Sequence, residues 1–267
     1  MVPVALTIAG SDSGGGAGIQ ADLRTFAAFD VYGASVLTAH PAQNTCGVRA
    51  IAAVEPAFVG LQIDAVLDDL DVGAVKTGML LSAAVIDVVV DRLAARPPRH
   101  LIVDPVLVAT SGEPLLEPAA IVRLRERLVP LATLLTPNLR EAEALTGCPV
   151  TGAADMRQAA RALRDLGARA VLMKGGHLEG DALDLLDDGR SVRELSAPRV
   201  ARPAPHGTGC TLSAAIAAGL ARGLELGEAV VAAKRYVTQA IESASRVGQG
   251  APVLHHLPRE DPLRRVL

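Results

Sequence analysis

The chain has 267 residues with 26 basic and 29 acidic side chains, a formal net charge of −3. The negative net charge argues against a basic surface that would neutralise a nucleic-acid backbone. With no tryptophan and only 2% aromatic residues, the chain also has little to stack against bases, and we expect no nucleic-acid partner. The mean hydropathy is +0.32, yet charges interrupt each apolar run before the roughly 20 residues of a membrane span, so we expect no membrane partner. Cys46, Cys148 and Cys210 are too widely spaced for a disulfide framework or a metal cluster, which predicts a reduced, cytoplasmic protein.

Short β-rich runs alternate with longer helical patterns along the chain. The first run, Val4–Ala9, lacks the basic start and cleavage site of a signal peptide and is predicted to be a strand. Five further strands are predicted at residues 34–38, 72–76, 101–103, 134–136 and 170–173. The alternation predicts an α/β protein with a mostly parallel central sheet and helices on both faces. Since no segment reads as a linker, we expect one domain over residues 1–267.

The intervening segments carry apolar residues at helical spacing. The early examples are Ile19, Leu23 and Phe26, followed by Val59, Ile63, Val66, Leu67 and Leu70. Residues 183–186 and 191–195, joined through Asp188-Gly189, are predicted to form a hairpin. Two helices, over residues 208–223 and 226–245, are predicted to close the fold.

Polar side chains follow several predicted strands directly. Asp104 follows one strand, Asn138 and Glu141 follow the next, and Lys174 follows another. Because ligands bind beyond the carboxyl ends of parallel strands, we expect these groups on one rim of the sheet. A carboxylate pair for hydrated magnesium and a lysine for phosphate charge are components of phosphoryl transfer. Asn138 and Glu141 equally fit a capping box that starts a helix over Leu139–Thr146, and the other groups fit ordinary turns.

The run Pro-His-Gly-Thr-Gly-Cys-Thr over residues 205–211 leads directly into an Ala-rich apolar helix. Gly207 and Gly209 leave backbone N–H groups uncovered at the positive end of the helix dipole, which predicts an anion-binding site. Cys210 lies in or near the first helical turn, where the dipole and nearby cations would favour a thiolate able to act as a base. The alternative is a Gly-rich turn followed by a small helix residue.

A second glycine-rich loop spans residues 10–18. It has neither the Lys-Ser/Thr pair of a Walker loop nor the spacing of a dinucleotide fingerprint. Its backbone can still closely approach a small flat ligand, beginning at Gly10. Gln43 adds an amide that both donates and accepts, as the edge of a polar ring would require. Gln43 and Asn44 could alternatively be a loop pair bonded to the backbone.

Several segments together resemble the hydroxymethylpyrimidine/phosphomethylpyrimidine kinases of thiamine biosynthesis, in the ribokinase-like superfamily. The resemblance covers nearly the whole chain and rests on residues 9–13 with 15–22, 42–45, 76–80, 104–106, 136–139, 174–177 and 206–213. Residues 42–45 and 206–213 are the more specific segments, and the others are shared more widely across the superfamily. In one departure from the family pattern, Thr110 stands where lysine is frequent.

The resemblance implies a three-layer ribokinase-like fold and transfer of phosphate from ATP, with Mg²⁺, to 4-amino-5-hydroxymethyl-2-methylpyrimidine and then to its monophosphate. The implied pyrimidine pocket comprises Gly10, Asp22, Gln43, Met79 and Val106. The implied magnesium ligands are Asp104 and Glu141, and the implied nucleotide contacts are Asn138, Lys174, Thr208 and Gly209. Catalysis is assigned to Cys210 as base with Lys174 and the anion hole of Gly207, Thr208 and Gly209. We expect a homodimer or higher homo-oligomer.

Two other functions remain open on the sequence alone. Pyridoxal kinases and kinases that accept both rings share the fold, the anion hole and often the cysteine; Gln43 and Met79 favour the pyrimidine. A catalytically silent nucleotide-binding regulator is the second alternative. The presence of Lys174, Glu141 and Cys210 together argues against it.

Overall fold

The structure is a computed structural model that describes residues 2–108, 115–176, 180–200 and 205–257. Its strands are β1 (Val4–Ala9), β2 (Tyr32–Leu37), β3 (Ala39–Asn44), β4 (Gly47–Ala53), β5 (Ala74–Thr77), β6 (Leu101–Val103), β7 (Leu134–Leu135), β8 (Val171–Gly175), β9 (Ala182–Asp187) and β10 (Val192–Ala197). Its α-helices are α1 (Gly18–Ala28), α2 (Pro56–Asp69), α3 (Ala83–Ala95), α4 (Pro118–Arg123), α5 (Leu139–Thr146), α6 (Ala153–Asp165), α7 (Thr208–Ala221) and α8 (Leu226–Glu242).

The central sheet has eight strands in the order β10-β9-β8-β7-β6-β5-β1-β2. The six strands from β8 to β2 pair in parallel, whereas β9 and β10 run antiparallel at one edge. This confirms the predicted α/β class and the mostly parallel sheet. The carboxyl ends of β1, β5, β6, β7 and β8 therefore open on one rim, which is where the predicted polar groups follow the strands.

Helices cover both faces of the sheet. One apolar core includes residues of α2 to α6, such as Ile63, Ile86 and Leu163. The other core joins α1, α7 and α8, with Phe26 and Tyr236 among its fully buried side chains. Helix α7 is buried from Thr211 to Leu220. Its many alanines and its glycine are small, so neighbouring elements can approach the helix closely. The predicted three-layer arrangement is thus confirmed.

The hairpin formed by β3 and β4 was not predicted. It is a separate two-stranded antiparallel sheet in a segment where Pro41 and Ala residues weaken the strand pattern. Proline is tolerated there because both strands of an isolated hairpin are edge strands. The side chains of Ala39, Pro41 and Gln43 are buried or half-buried against the protein. Those of His40, Ala42 and Asn44 are exposed to solvent.

Strand and helix bounds otherwise differ from the predictions by a few residues, as is usual at element ends. The strand predicted over residues 72–76 begins only at Ala74, because Val72 N–H instead bonds to the Leu70 carbonyl in a turn. The predicted β9–β10 hairpin and the α7–α8 pair are present. Across the described residues, none of the helices has the length and apolar character needed to cross a membrane.

Candidate active site

Side chains from three neighbouring strand ends meet around the amine of Lys174. Lys174 is the penultimate residue of β8, and its Nζ lies 2.8 Å from Asp104 Oδ1, which follows β6. The same Nζ lies 3.7 Å from Glu141 Oε2 at the start of α5. A parallel bridge between Asn138 and Lys174 extends the β7–β8 pairing to this point. The structure therefore brings together the acidic pair and the lysine that the sequence placed on one rim.

Asp104 is held as a buried carboxylate. It is 1% exposed and accepts hydrogen bonds from Thr136 Oγ1 at 3.3 Å and Ser213 Oγ at 3.2 Å, besides that of Lys174. Burial acts to raise the pKa of Asp104, but the positive charges of Lys174 and Lys76 and these hydrogen bonds lower it below its usual value. The site thus has a fixed negative charge at the end of β6.

Asn138 and Glu141 form the capping box that was the alternative explanation for these residues. Asn138 Oδ1 accepts the Glu141 N–H at 2.9 Å, and Glu141 Oε2 accepts the Asn138 N–H at 2.7 Å. The cap also aims Glu141 at Lys174, so capping and a place in the site are compatible. Burial raises the pKa of Glu141 to about 7, against the lowering effect of Lys174.

Gly207 and Gly209 start α7 beside this cluster. Gly207 is the N-cap with φ +84°, and a Cβ there would overlap the carbonyl oxygen of Gly16, so only glycine fits. A Cβ on Gly209 would lie 3.2 Å from Lys174 Nζ and 3.8 Å from Asp104 Oδ2. The helix N-terminus, the lysine and the carboxylate therefore share one site, and the first two of these favour a bound anion.

The hydroxyl of Thr208 is already hydrogen-bonded within its own turn, so its backbone N–H is the group left for a ligand. The hydroxyl donates to the Pro205 carbonyl at 3.0 Å, and the first bond of the helix ladder runs from Thr211 N–H to the Gly207 carbonyl at 2.9 Å. The N–H groups of the first turn, before Thr211, have no partner within a helix. They are the donors available to a phosphate.

The expectation that Cys210 favours the thiolate needs correction. Burial of the thiol raises its pKa to about 11; Lys76 and the N–H of Gly18 lower the pKa, but Asp22 and Asp104 raise it further. We expected the helix dipole and nearby cations to dominate, and desolvation with two nearby carboxylates outweighs them. In this structure Cys210 is a thiol at neutral pH.

Asp22 does not reach the surface that a substrate would contact. It is 0% exposed, and its Oδ2 accepts from Lys76 Nζ at 2.8 Å and from Thr7 Oγ1 at 2.6 Å. Its Oδ1 is buried without a hydrogen-bond partner among the described residues. Asp22 is therefore a buried partner of Lys76 and Thr7, and its direct contact with a substrate stays a prediction.

The other pocket residues come together at the base of the hairpin. Met79, Ala39 and Leu115 form a small apolar cluster against which Val106 packs. Gly10 borders it so closely that a Cβ at this position would overlap the Met79 side chain. An apolar floor next to a glycine backbone suits one face of a flat ring.

Gln43 lies at the far end of β3, and within the described residues its side chain makes no hydrogen bond to the loop backbone. Its Nε2 lies 2.5 Å from His206 Nε2. Asn44, by contrast, does behave as a loop residue, since its Oδ1 accepts the Cys46 N–H at 2.9 Å. His206 directly precedes the anion hole, and sequence reasoning assigned no role to it.

Lys76 is the second residue to which the sequence alone assigned no role. Its position at the end of β5, on the same rim as Asp104 and Lys174, was the available signal.

Among the other residues noted in the sequence, Thr110 and His177 lie outside the described residues. The predicted magnesium ligands Asp104 and Glu141 are a pair, and the described residues contain no group of three or more His, Cys, Asp or Glu side chains placed to hold a metal.

Comparisons with known proteins agree with this geometry. The family model described as phosphomethylpyrimidine kinase matches residues 12–255. A hydroxymethylpyrimidine/phosphomethylpyrimidine kinase from Rhizobium meliloti is 54% identical over 97% of this chain and 98% of its own. One from Escherichia coli is 44% identical over 94% and 96% of the two chains.

Two related solved structures have similar backbones. An ADP complex of pyridoxal kinase from Bacillus subtilis superposes with a TM-score of 0.90 at 38% identity, covering 96% of this chain and 98% of that one. Phosphomethylpyrimidine kinase from Clostridium difficile superposes with a TM-score of 0.81 at 44% identity, covering 90% and 100%. With a family model spanning most of its length and full-length relatives above 40% identity, the chain belongs to the phosphomethylpyrimidine kinase family, of ribokinase-like fold.

Proposed function

We propose that the protein transfers phosphate from ATP to the hydroxymethyl group of 4-amino-5-hydroxymethyl-2-methylpyrimidine, and then to the resulting monophosphate. The observation that carries the proposal is that the Lys174–Asp104 pair lies beside the N-terminal turn of α7 at Gly209. A lysine and free backbone N–H groups side by side fit the charge that develops on a transferring phosphoryl group. The ADP held by the related Bacillus subtilis enzyme supports ATP as the donor.

The residues of the site act mainly by position and charge. Lys174 keeps its positive charge, because the neighbouring carboxylates of Asp104 and Glu141 raise its pKa above the usual value despite burial. It can therefore contact a phosphate without first gaining a proton. The N–H groups that follow Gly207 are fixed by the helix and need no reorganisation when charge develops on the phosphate.

Magnesium is proposed to bind at Asp104 and Glu141. Their oxygens lie 2.8 Å and 3.7 Å from Lys174 Nζ, so the two carboxylates supply oxygen ligands close to one another but not a closed cage. This donor set fits Mg²⁺, which keeps several waters and takes one or two carboxylates together with substrate phosphates. When bound, the ion would neutralise phosphate charge. The protein's part is to hold these carboxylates, through Thr136 and Ser213 for Asp104 and the α5 cap for Glu141.

Cys210 remains our proposed base for the first transfer. Since burial raises the pKa of the thiol to about 11, this role requires that bound substrate and nucleotide lower it. Lys76 already acts in that direction. The second acceptor is a phosphate monoester, which is largely ionised near neutral pH and needs little help from a base.

A pyridoxal kinase, or a kinase acting on both rings, is the second candidate. The similarity of the backbone to the Bacillus subtilis pyridoxal kinase favours it. The apolar cluster around Met79 would accept either flat ring. Gln43 favours the aminopyrimidine, because an amide can donate and accept at its polar edge.

We also propose that residues 1–267 form one kinase domain and that the protein is a homodimer or higher homo-oligomer. Light scattering coupled to size-exclusion chromatography would measure the assembly. A monomer of 27.5 kDa would contradict this part of the proposal.

The function is tested by incubating the protein with ATP and the aminopyrimidine and following the products by mass spectrometry. We expect the monophosphate first and the diphosphate later, with neither formed when magnesium is chelated. Absence of both products under conditions where the protein binds ATP would overturn the proposal.

A further inference from the structure

Three polar side chains from separate segments meet beside the anion hole. They are Asp12 in the loop between β1 and α1, Gln43 on β3, and His206 immediately before Gly207. His206 Nε2 lies 3.3 Å from Asp12 Oδ2 and 2.5 Å from Gln43 Nε2. All three are at least partly buried, so this cluster has a defined geometry.

Asp12 is fixed by the glycine-rich loop around it. Its Oδ1 accepts the Gly14 N–H at 2.8 Å, and its Oδ2 accepts the N–H groups of Gly16 at 2.9 Å and Ala17 at 2.8 Å. Burial would raise the pKa of Asp12, but hydrogen bonds from His206 and this loop hold it below its usual value. An ionised carboxylate only accepts hydrogen bonds, so the imidazole nitrogen facing it must carry a proton.

The proton on His206 Nε2 restricts the Gln43 amide. A ring nitrogen that carries its proton has no lone pair to accept from the amide NH₂ group. Its single N–H is shared between the Asp12 carboxylate at 3.3 Å and the end of the Gln43 amide at 2.5 Å, which must then be the carbonyl oxygen. A half-turn of the amide exchanges its two ends without moving the rest of the side chain. The favoured arrangement therefore places the carbonyl of Gln43 against His206 and leaves the NH₂ group, with the second lone pair of the carbonyl oxygen, for another partner.

The backbone of Gln43 is fixed independently. Ser13 Oγ accepts the Gln43 N–H at 2.8 Å and donates to the Gln43 carbonyl at 2.6 Å. The strand therefore cannot shift to satisfy a wrongly turned amide. The orientation of the side-chain amide is the remaining freedom, and His206 is the group that contacts it.

We propose that His206 is a positioning residue for substrate specificity: held by Asp12, it turns the Gln43 amide so that its NH₂ group donates to a ring nitrogen of the pyrimidine. The inference rests on the proposed function, because it assigns the substrate contact to Gln43. It also joins ring recognition to phosphate binding, since His206 and Gly207 are adjacent.

A double-mutant cycle tests this coupling. We compare the wild type, His206→Asn, Gln43→Ala and the double variant for KM of the aminopyrimidine and for kcat. Asparagine is too short to reach Gln43 from position 206. We expect each single change to raise KM about tenfold, as when a buried polar group loses its partner. The double variant should be no weaker than Gln43→Ala alone, because His206 then has no amide to orient.

Three further measurements separate a positioning role from a general structural one. His206→Gln, which restores an N–H donor near the ring Nε2 position, should recover most of the substrate affinity. ADP binding should stay unchanged in every variant. His40→Ala, an exposed histidine on the same strand, should leave KM unchanged. If His206→Asn does not fold, His206→Leu takes its place in the cycle.

Two outcomes would overturn the inference while the proposed function stands. One is a His206→Asn effect on KM that is equally large with and without Gln43; the other is a His206→Gln variant as weak as His206→Asn. A wild-type protein that does not phosphorylate the aminopyrimidine would instead remove the proposed function, and with it the role given to Gln43.

Discussion

Lys174 shows how one residue acquires its role from neighbours far apart in the chain. Its amine contacts the carboxylates of Asp104 and Glu141 and lies against Gly209. The sequence located all four at ends of predicted elements. It could not show their separations, which depend on the order of strands in the sheet.

Glu141→Gln separates helix capping from ion binding, because glutamine can still close the capping box. The helix should therefore remain, with an unfolding midpoint close to that of the wild type. The magnesium concentration for half-maximal turnover should rise by at least about tenfold, since the amide lacks the carboxylate charge. A magnesium titration identical to that of the wild type would leave Glu141 as a capping residue only.

Cys210→Ala tests the proposed base, because alanine leaves the backbone N–H groups of the first turn in place. Turnover in the first phosphorylation should fall about 10²- to 10⁴-fold, with both substrates still bound. The second phosphorylation should lose less, since its acceptor is already ionised. Rates of the two steps measured in the same variant decide the matter. Equal losses, or none in the first step, would remove Cys210 from this role.

At the scale of elements, the sequence was informative where local signals are strong and weak where tertiary contacts decide. The run at Val4–Ala9 and the helix over Leu139–Thr146 were predicted with the bounds that the structure shows, because apolar runs and capping residues are local. The β3–β4 hairpin was missed, since Pro41 and small residues conceal it. The raised pKa of Cys210 was also missed, because it depends on burial and on carboxylates from other elements.

The start of α7 depends on a glycine that no other residue can replace. Gly207→Ala would combine a positive φ with overlap on Gly16. It should therefore lower both the unfolding midpoint and the turnover, the latter by about 10²-fold as the N–H groups shift.

Gly223→Ala is a matched control at the other end of the same helix. Gly223 has φ +88° but no atom within 4 Å of an added Cβ. It should cost about 1–2 kcal/mol of stability through backbone strain alone and leave turnover intact. If Gly207→Ala also retained full turnover, the anion hole would not be placed as we propose.

At the scale of the whole molecule, His256 links the described C-terminal segment to the core. Its Nε2 pairs with Thr211 Oγ1 of α7 at 3.0 Å, and Tyr236 of α8 donates to its carbonyl at 2.9 Å. Burial lowers the pKa of His256 from 6.5 to about 4. Its neutral form is therefore favoured in the folded protein.

The unfolded chain consequently binds more protons than the folded one between pH 6.5 and about 4, so stability should fall as the pH is lowered through this window. The contribution is at most about 3 kcal/mol. Urea unfolding at several pH values should show a smaller pH dependence for His256→Gln, whereas His40→Gln, a change at an exposed histidine on β3, should behave as the wild type. An unchanged slope in His256→Gln would assign the acid sensitivity to other groups.

The family, the fold and the site together lead to a kinase that recognises an aminopyrimidine. The measurement that tests this most directly is kcat/KM for the aminopyrimidine and for pyridoxal, determined side by side with the same enzyme, ATP and magnesium. We predict a clear preference for the aminopyrimidine and onward conversion of its monophosphate to the diphosphate. Rapid phosphorylation of pyridoxal with no product from the aminopyrimidine would contradict the account.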